Sequence, residues 1–283
     1  MNHRLKIRPN GLSKGAASGG ASAHFVQVYG PGWASLEAAI ALEISSKGEA
    51  SACVDAFMAL LEGVGNDTAT ASMRDAERLF ALRNDGDVGR FEEAVDRLLK
   101  AGILESVGED PLGSVVASLP PEAFWKGSRW ARQNRIQVRQ RQCAPTAAGQ
   151  DLVRYIQLYR PFFSLVAGLA KTGCVAMRLA VFMARRIDSH GLLCCSQTAL
   201  AQAAGCSVRA AATAVERLER EGFFKRLPWG RLVIFAINPD MVWRSRLRSR
   251  SNSPFRAEPD QDPLQRLKQM TGLNPIRLSV ILS

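Results

Sequence analysis

Residues 196–238 read SQTALAQAAGCSVRAAATAVERLEREGFFKRLPWGRLVIFAIN, and no other stretch of the chain leaves so few ways to fold. Ser196 is a natural N-cap, because its hydroxyl oxygen can accept a free N–H from the first turn of a helix over 197–204. Gly205 follows, and Ser207 is placed to cap a second helix that runs to about residue 221. Gly222 then stands where a helix end calls for a left-handed backbone. Small or apolar residues at Leu200, Ala201, Ala204, Cys206, Ala211 and Ala214 let the two helices cross closely, with a glycine in the turn. This is a helix-turn-helix pattern.

What surrounds it narrows the fold further. FFKRLPWGRLVIFAIN reads as strand, turn, strand, with Pro228-Trp229-Gly230 as the tip. Upstream, VAMRLAVFMARRI (175–187) supplies a preceding helix, and LLCCS supplies a short third strand. Helix, strand, helix, helix, hairpin over 175–238 is the order of a winged helix. In such a fold the second helix of the motif enters the major groove, its N-terminal half nearest the bases. That face offers Ser207, Val208, Arg209, Ala210, Thr213 and Arg217, while Ala211, Ala214, Val215 and Leu218 face the core. Arg209 is the early side chain able to fork onto guanine O6 and N7. Thr213 suits a thymine methyl or a phosphate. Trp229 and Arg231 sit at the wing tip, and Arg185 and Arg186 are placed for backbone phosphates. Winged helices also serve as protein-interaction modules, which is the competing reading.

Charge favours the nucleic-acid reading for this part of the chain. The 283 residues hold 37 Lys and Arg against 26 Asp and Glu, a net of +11. Residues 35–125 hold 17 acids and 7 bases, a net of −10, and the remainder holds 9 acids and 30 bases, a net of +21. A basic part can neutralise phosphates and release counterions, whereas an acidic part is repelled by the same polyanion. The expected division is a flexible basic arm over 1–24, an acidic helical domain over 25–125, a basic connector over 126–150, a winged-helix DNA-binding domain over 151–245, and a basic linker with a short C-terminal helix over 246–283. In the connector, Arg129, Arg132, Arg135 and Arg139 follow a 3, 3, 4 spacing that puts them on one helical face. Either they contact DNA or they are the solvated side of a linker helix.

A fainter version of the pattern lies upstream. ASMRDAERLFALRNDGDVGRFEEAVDRLLKAGILESVGEDPLGSVVASL has a helix, a break at Asn84-Asp-Gly, and a helix lined by Phe91, Val95, Leu98 and Leu99. ILESV and SVVASL flank Gly-Glu-Asp-Pro-Leu-Gly as a candidate wing, and AVDRLLKAGILESV aligns position by position with AVERLEREGFFKRL. The expectation is therefore a mainly α, α+β chain with small hairpins and tandem winged-helix domains. Glu92, Glu93 and Asp96 on the upstream helix oppose phosphate, which assigns that domain to dimerisation or partner contact. A generic helical domain of another fold is the alternative there.

Other function classes fare worse. The apolar stretches at 161–170 and 174–184 are interrupted by Lys171 and Arg178, short of the roughly 20 residues a membrane helix needs. No secretory signal is read at the N-terminus, so the expectation is a cytoplasmic, nucleoid- or plasmid-associated bacterial protein without a membrane partner. The six cysteines form no CxxC pair, and buried reduced thiols are expected rather than a metal site. There is no GxxxxGK[ST], HExxH or GxSxG, and His190 in Asp188-Ser-His-Gly is explained by a turn. Tyr29, Tyr155 and Tyr159 lack the His-rich metal neighbourhood that strand nicking requires. No catalysis, cofactor or metal is expected, and no stretch interleaves aromatics with bases as single-strand surfaces do.

LAQAAGCSVRAAATAVERLEREGFFKR followed by a strand ending INPDMVWRS resembles the winged-helix domain of RepL-type plasmid and phage replication proteins. The resemblance covers about 174–245, and its exit residues are Asn238, Pro239 and Trp243. It implies sequence-specific binding to double-stranded repeats at an origin and recruitment of host replication proteins, a role that suits the acidic N-terminal domain. A homodimer is one candidate assembly. A winged-helix transcriptional regulator, a repressor, is the alternative that needs the same residues.

Overall fold

The structure, a computed structural model, describes residues 25–45, 52–142, 155–172, 174–229, 232–244, 250–251 and 253–256. The chain makes nearly the same series of elements twice. The first pass is β1 (Phe25–Val28), α1 (Gly30–Ser45), α2 (Ala52–Glu62), β2 (Thr70–Ser72), α3 (Met73–Arg83), α4 (Gly89–Lys100), β3 (Ser106–Glu109), β4 (Val115–Ser118) and β5 (Phe124–Trp125). Helix α5 (Arg129–Gln142) follows. The second pass is β6 (Ile156–Tyr159), α6 (Arg160–Ala170), α7 (Cys174–Arg186), β7 (Leu192–Cys194), α8 (Gln197–Ala204), α9 (Val208–Arg220), β8 (Phe224–Trp229), β9 (Leu232–Ile237) and β10 (Val242–Trp243). A 3₁₀ turn at Pro254–Arg256 closes the described part.

Local chemistry explains the boundaries in both passes. Ser72 Oγ accepts from the Asp75 N–H at 3.3 Å, Ser196 Oγ from Ala199 at 3.1 Å and Ser207 Oγ from Ala210 at 3.2 Å, so α3, α8 and α9 each start on a serine cap. Gly102 and Gly222 end α4 and α9 at φ 69° and 71°, and Gly205 turns between α8 and α9 at φ 62°. The buried faces also correspond: Phe91, Ala94, Val95 and Leu98 on α4, and Ala211, Ala214, Val215 and Leu218 on α9.

Each pass contributes a small antiparallel sheet, in the order β2-β4-β3 and β7-β9-β8. The third sheet joins them. Its order is β10-β6-β1-β5, with β1 and β6 paired antiparallel at the centre so that Gln27 faces Gln157. Helix α2 lies against α6 and α1 against α7, so the helices of one pass are packed on those of the other. One hydrophobic core consequently runs through both passes, from Val26 and Phe57 to Phe162, Phe223 and Val242.

The α+β class and the order over 175–238 agree with the expectation from sequence. Three details differ. The strand before the hairpin turn runs on through Pro228 and Trp229, which pair with Val233 and Leu232, so these two residues belong to the strand and not to the tip. The acidic part is not purely helical, because β1 and β5 build half of the central sheet. The cysteines are not uniformly buried: Cys53 is, Cys194, Cys195 and Cys206 are half-buried, and Cys174 is exposed. The 1–24 arm and the helix expected within 263–270 lie outside the described residues.

Candidate nucleic-acid interface

The presented face of α9 is built by burying its other side. With Ala211, Ala214, Val215 and Leu218 in the core, Ser207, Val208, Arg209, Thr213, Glu216 and Arg220 are exposed and Arg217 is half-buried. The turn that sets the helix is held from below: Arg178 Nη1 on α7 donates to the Ala204 carbonyl at 2.9 Å, at the end of α8. A Cβ at Gly205 would stand 3.5 Å from the same guanidinium. Arg178, half-buried, thus serves the turn.

The exposed face divides by chemistry. Ser207 spends its oxygen on the cap, leaving its hydroxyl proton free to donate. Thr213 is exposed and its Oγ1 donates to the Arg209 carbonyl at 3.2 Å. Arg209 stands in solvent at the N-terminal end, where a groove of about 550 Å³ lies between α9 and the start of α7, floored by Val175, Ala210 and Ala214. Arg217 lines the same groove and donates to Thr172 Oγ1. Glu219 is matched by Arg226 on β8, Nε to Oε2 at 2.7 Å, so that acid adds little unbalanced charge.

The remaining expected contacts separate. Arg185 is exposed but shares a 2.7 Å ion pair with Glu37 of α1, and exposed Arg186 lies 5.3 Å over the Phe182 ring. Arg135 on α5 is exposed. Arg132, expected among the DNA contacts, is instead buried: it is 1% exposed, lies 3.2 Å over the Tyr29 ring, and donates to the carbonyls of Pro121 at 2.8 Å and Glu122 at 2.9 Å. The regular spacing of the four arginines placed it on a polar face, yet that turn of α5 packs on the first pass. The side chains of Arg129, Arg139 and Trp229, and all of Arg231, lie outside the described residues.

Two features of α9 were not singled out from sequence. Arg220 is exposed and basic, and Glu216 is an exposed acid halfway along the face. Their signal was available, because Arg209, Thr213, Glu216 and Arg220 follow a 4, 3, 4 spacing. Glu216 confines the basic, small-residue part of the face to the N-terminal half of the helix.

The exit residues are structural. Asn238 Nδ2 donates to the Gly222 carbonyl at 3.0 Å and its Oδ1 accepts from the Asp240 N–H at 2.9 Å, tying the end of α9 to the last strand. Trp243 is fully buried against Gly191, whose φ of 76° and absent Cβ leave room for the indole. The Asp188-Ser-His-Gly segment is a turn: Asp188 Oδ1 accepts from the N–H groups of His190 at 2.8 Å and Leu192 at 2.9 Å. A second contact between Asp188 and the ring raises the pKa of His190 above its ordinary value.

Among the described residues, no helix is long and apolar enough to cross a membrane. No curated protein and no solved structure matches the chain. Residues 158–258 match the family described as Firmicute plasmid replication protein (RepL), a match that runs from within β6 to just past the 3₁₀ turn and is wider than the 174–245 that carried the resemblance. The resemblance to RepL-type plasmid replication proteins therefore holds over that segment of the chain.

Proposed function

We propose that the chain is a sequence-specific double-stranded DNA-binding protein that initiates plasmid replication by binding repeats at an origin, without catalysis of its own. Both passes are read as winged helices, the second intact and the first degenerate. The observation that carries this reading is the exposed N-terminal half of α9, with Arg209 beside small residues inside the RepL-matched segment. Arg209 reads a guanine, Thr213 a thymine methyl or phosphate, and Ser207 a phosphate at the helix N-terminus. Arg185, Arg186, Arg217, Arg220 and Arg135 hold backbone phosphates, for which Arg185 exchanges Glu37. The equivalent face of α4 exposes Glu92, Glu93 and Asp96, which repels a duplex and suits a host replication protein with a basic surface.

The test is origin rescue. The gene with its native flanking DNA is placed on a vector unable to replicate in the source host, beside an Arg209→Ala copy, and transformants are counted. Colonies from the intact gene and none from the variant are the expected result. Failure of both, with the protein expressed, overturns the initiator reading. Duplex binding is also expected to weaken steeply between low and moderate salt, since several arginines displace counterions.

A further inference from the structure

We propose that this chain is a covalent pseudo-dimer, in which one RepL-type unit and a diverged copy of it fill both places of a two-fold assembly, so that a single chain acts alone and reads a single DNA half-site. The reading of the DNA site rests on the function proposed above; the assembly does not.

The duplication is written into the parts that hold the centre together. Phe25-Val-Gln-Val-Tyr-Gly-Pro31 matches Tyr155-Ile-Gln-Leu-Tyr-Arg-Pro161, and Leu119-Pro-Pro-Glu-Ala-Phe-Trp125 matches Ile237-Asn-Pro-Asp-Met-Val-Trp243. The matched residues do the same work. Tyr29 Oη donates to Gln27 Oε1 at 2.6 Å, and Tyr159 Oη to Gln157 Oε1 at 2.7 Å. The Tyr29 N–H donates to the Ala123 carbonyl at 2.9 Å, and the Tyr159 N–H to that of Met241 at 3.0 Å. A buried arginine covers Tyr29, and Arg250, the residue in the matching place after Trp243, lies 4.1 Å over Tyr159.

The register makes the relation a two-fold. Gln27 faces Gln157, Val26 faces Leu158 and Val28 faces Ile156, so each step away from Gln27 in one direction meets the equivalent of the opposite step. An axis between the two glutamines therefore exchanges β1 with β6 and β5 with β10. The helices follow it: α2 packs on α6 and α1 on α7, each across the axis. Grooves recur as well, about 540 Å³ beside α4 and about 550 Å³ beside α9. The family match begins at Leu158 and ends just past the 3₁₀ turn, which makes one pass one unit.

In an isologous pair of separate chains, the edge of the central strand would be the site of association. Here β1 already occupies the edge of β6 within the same chain, with its apolar side chains in the shared core. A second copy has no place to enter. The outer faces have diverged: aligned on Ala94-Val95 and Ala214-Val215, Gly89 stands opposite Arg209, Glu92 opposite Ala212 and Glu93 opposite Thr213. Only one of the two outward helices is fit to read DNA, so the site it recognises has no inverted partner.

The full chain is measured by sedimentation equilibrium over a hundredfold range of concentration, then titrated onto duplexes carrying one half-site or an inverted pair. The expected mass is that of one chain, 30.8 kDa, throughout. On DNA, one chain binds per half-site, and the inverted pair binds two chains with no gain in affinity per site. A concentration-dependent species of twice the mass overturns the pseudo-dimer. Cooperative binding of two chains to the inverted pair, by tenfold or more, overturns the single-site reading. If no duplex is bound at all, the proposed function fails, and the mass alone decides the assembly.

Discussion

Replacing Arg132 separates the two roles that its position could have. The guanidinium is 1% exposed, gives Nε to the Pro121 carbonyl and Nη2 to that of Glu122, and covers Tyr29. Each bond from a charged donor contributes about 1.5–3 kcal/mol, and a desolvated cation over a ring about 2 kcal/mol. Against these stands the cost of holding the charge out of water, several kcal/mol, which Arg132→Ala recovers. The alanine also leaves two carbonyls short of a donor and a void beside Tyr29. The net expectation is a loss of about 3–4 kcal/mol, read as a lower urea midpoint at unchanged slope. DNA affinity of the folded fraction stays at the wild-type value. Arg135→Ala, one helical turn on and exposed, gives the reverse: unchanged urea stability, and a salt dependence shallower by about one counterion. If Arg132→Ala unfolds with the wild type while its duplex binding weakens, the side chain faces DNA and the packing argument is wrong.

Arg209→Ala is expected to lose about 1–3 kcal/mol of affinity for the recognised duplex, with no change in thermal midpoint, by titration and melting side by side. Gly205→Ala forces a left-handed φ of 62° on an L-residue, and its Cβ meets only ordinary contact with Arg178 at 3.5 Å, so a backbone cost of about 1–2 kcal/mol in urea is expected. Glu43 is the pH-dependent case. Burial raises its pKa from 4.5 to about 7, against the lowering effect of the Val54 N–H it accepts at 3.0 Å. The native state holds this proton more tightly than the unfolded chain, so the contribution of Glu43 is full below pH 4.5 and falls by about 3 kcal/mol as pH rises through 7. Glu43→Gln removes that slope, and its stability relative to wild type should rise from pH 5 to pH 8; a constant difference would refute the shift.

Much of the second pass was legible because its signals are local. Serine caps, left-handed glycines and a buried stripe at helical spacing act within one turn, and Ser196, Ser207, Gly205 and Gly222 behave as their types dictate. The central sheet was not legible in the same way. Strands β1 and β6 are four residues each, buried on both faces, so they show no alternation, and the partner of each lies more than a hundred positions away. Only comparing Val-Gln-Val-Tyr with Ile-Gln-Leu-Tyr would have found them. Arg132 failed for a related reason. Spacing gives the face of a helix, and which part of that face is covered depends on the distant Tyr29 and Pro121.

The charge split and the duplication are two views of one constraint. Burial fixes the inner positions of both passes: Ala94, Val95 and Leu98 on α4 recur as Ala214, Val215 and Leu218 on α9, because a lost methylene or a misplaced polar group there costs about 1 kcal/mol or more. No such penalty acts on Glu92, Glu93 and Asp96 or on their counterparts Ala212, Thr213 and Glu216, which lie outside the core. Surface charge could therefore differ across the two-fold while the fold stayed the same. In a pair of identical chains the same change would appear on both sides at once, since one sequence writes both. Fusion removes that coupling. A single chain can keep Arg209 on one outward helix and place Glu93 on the other, and so present unlike charge on its two sides.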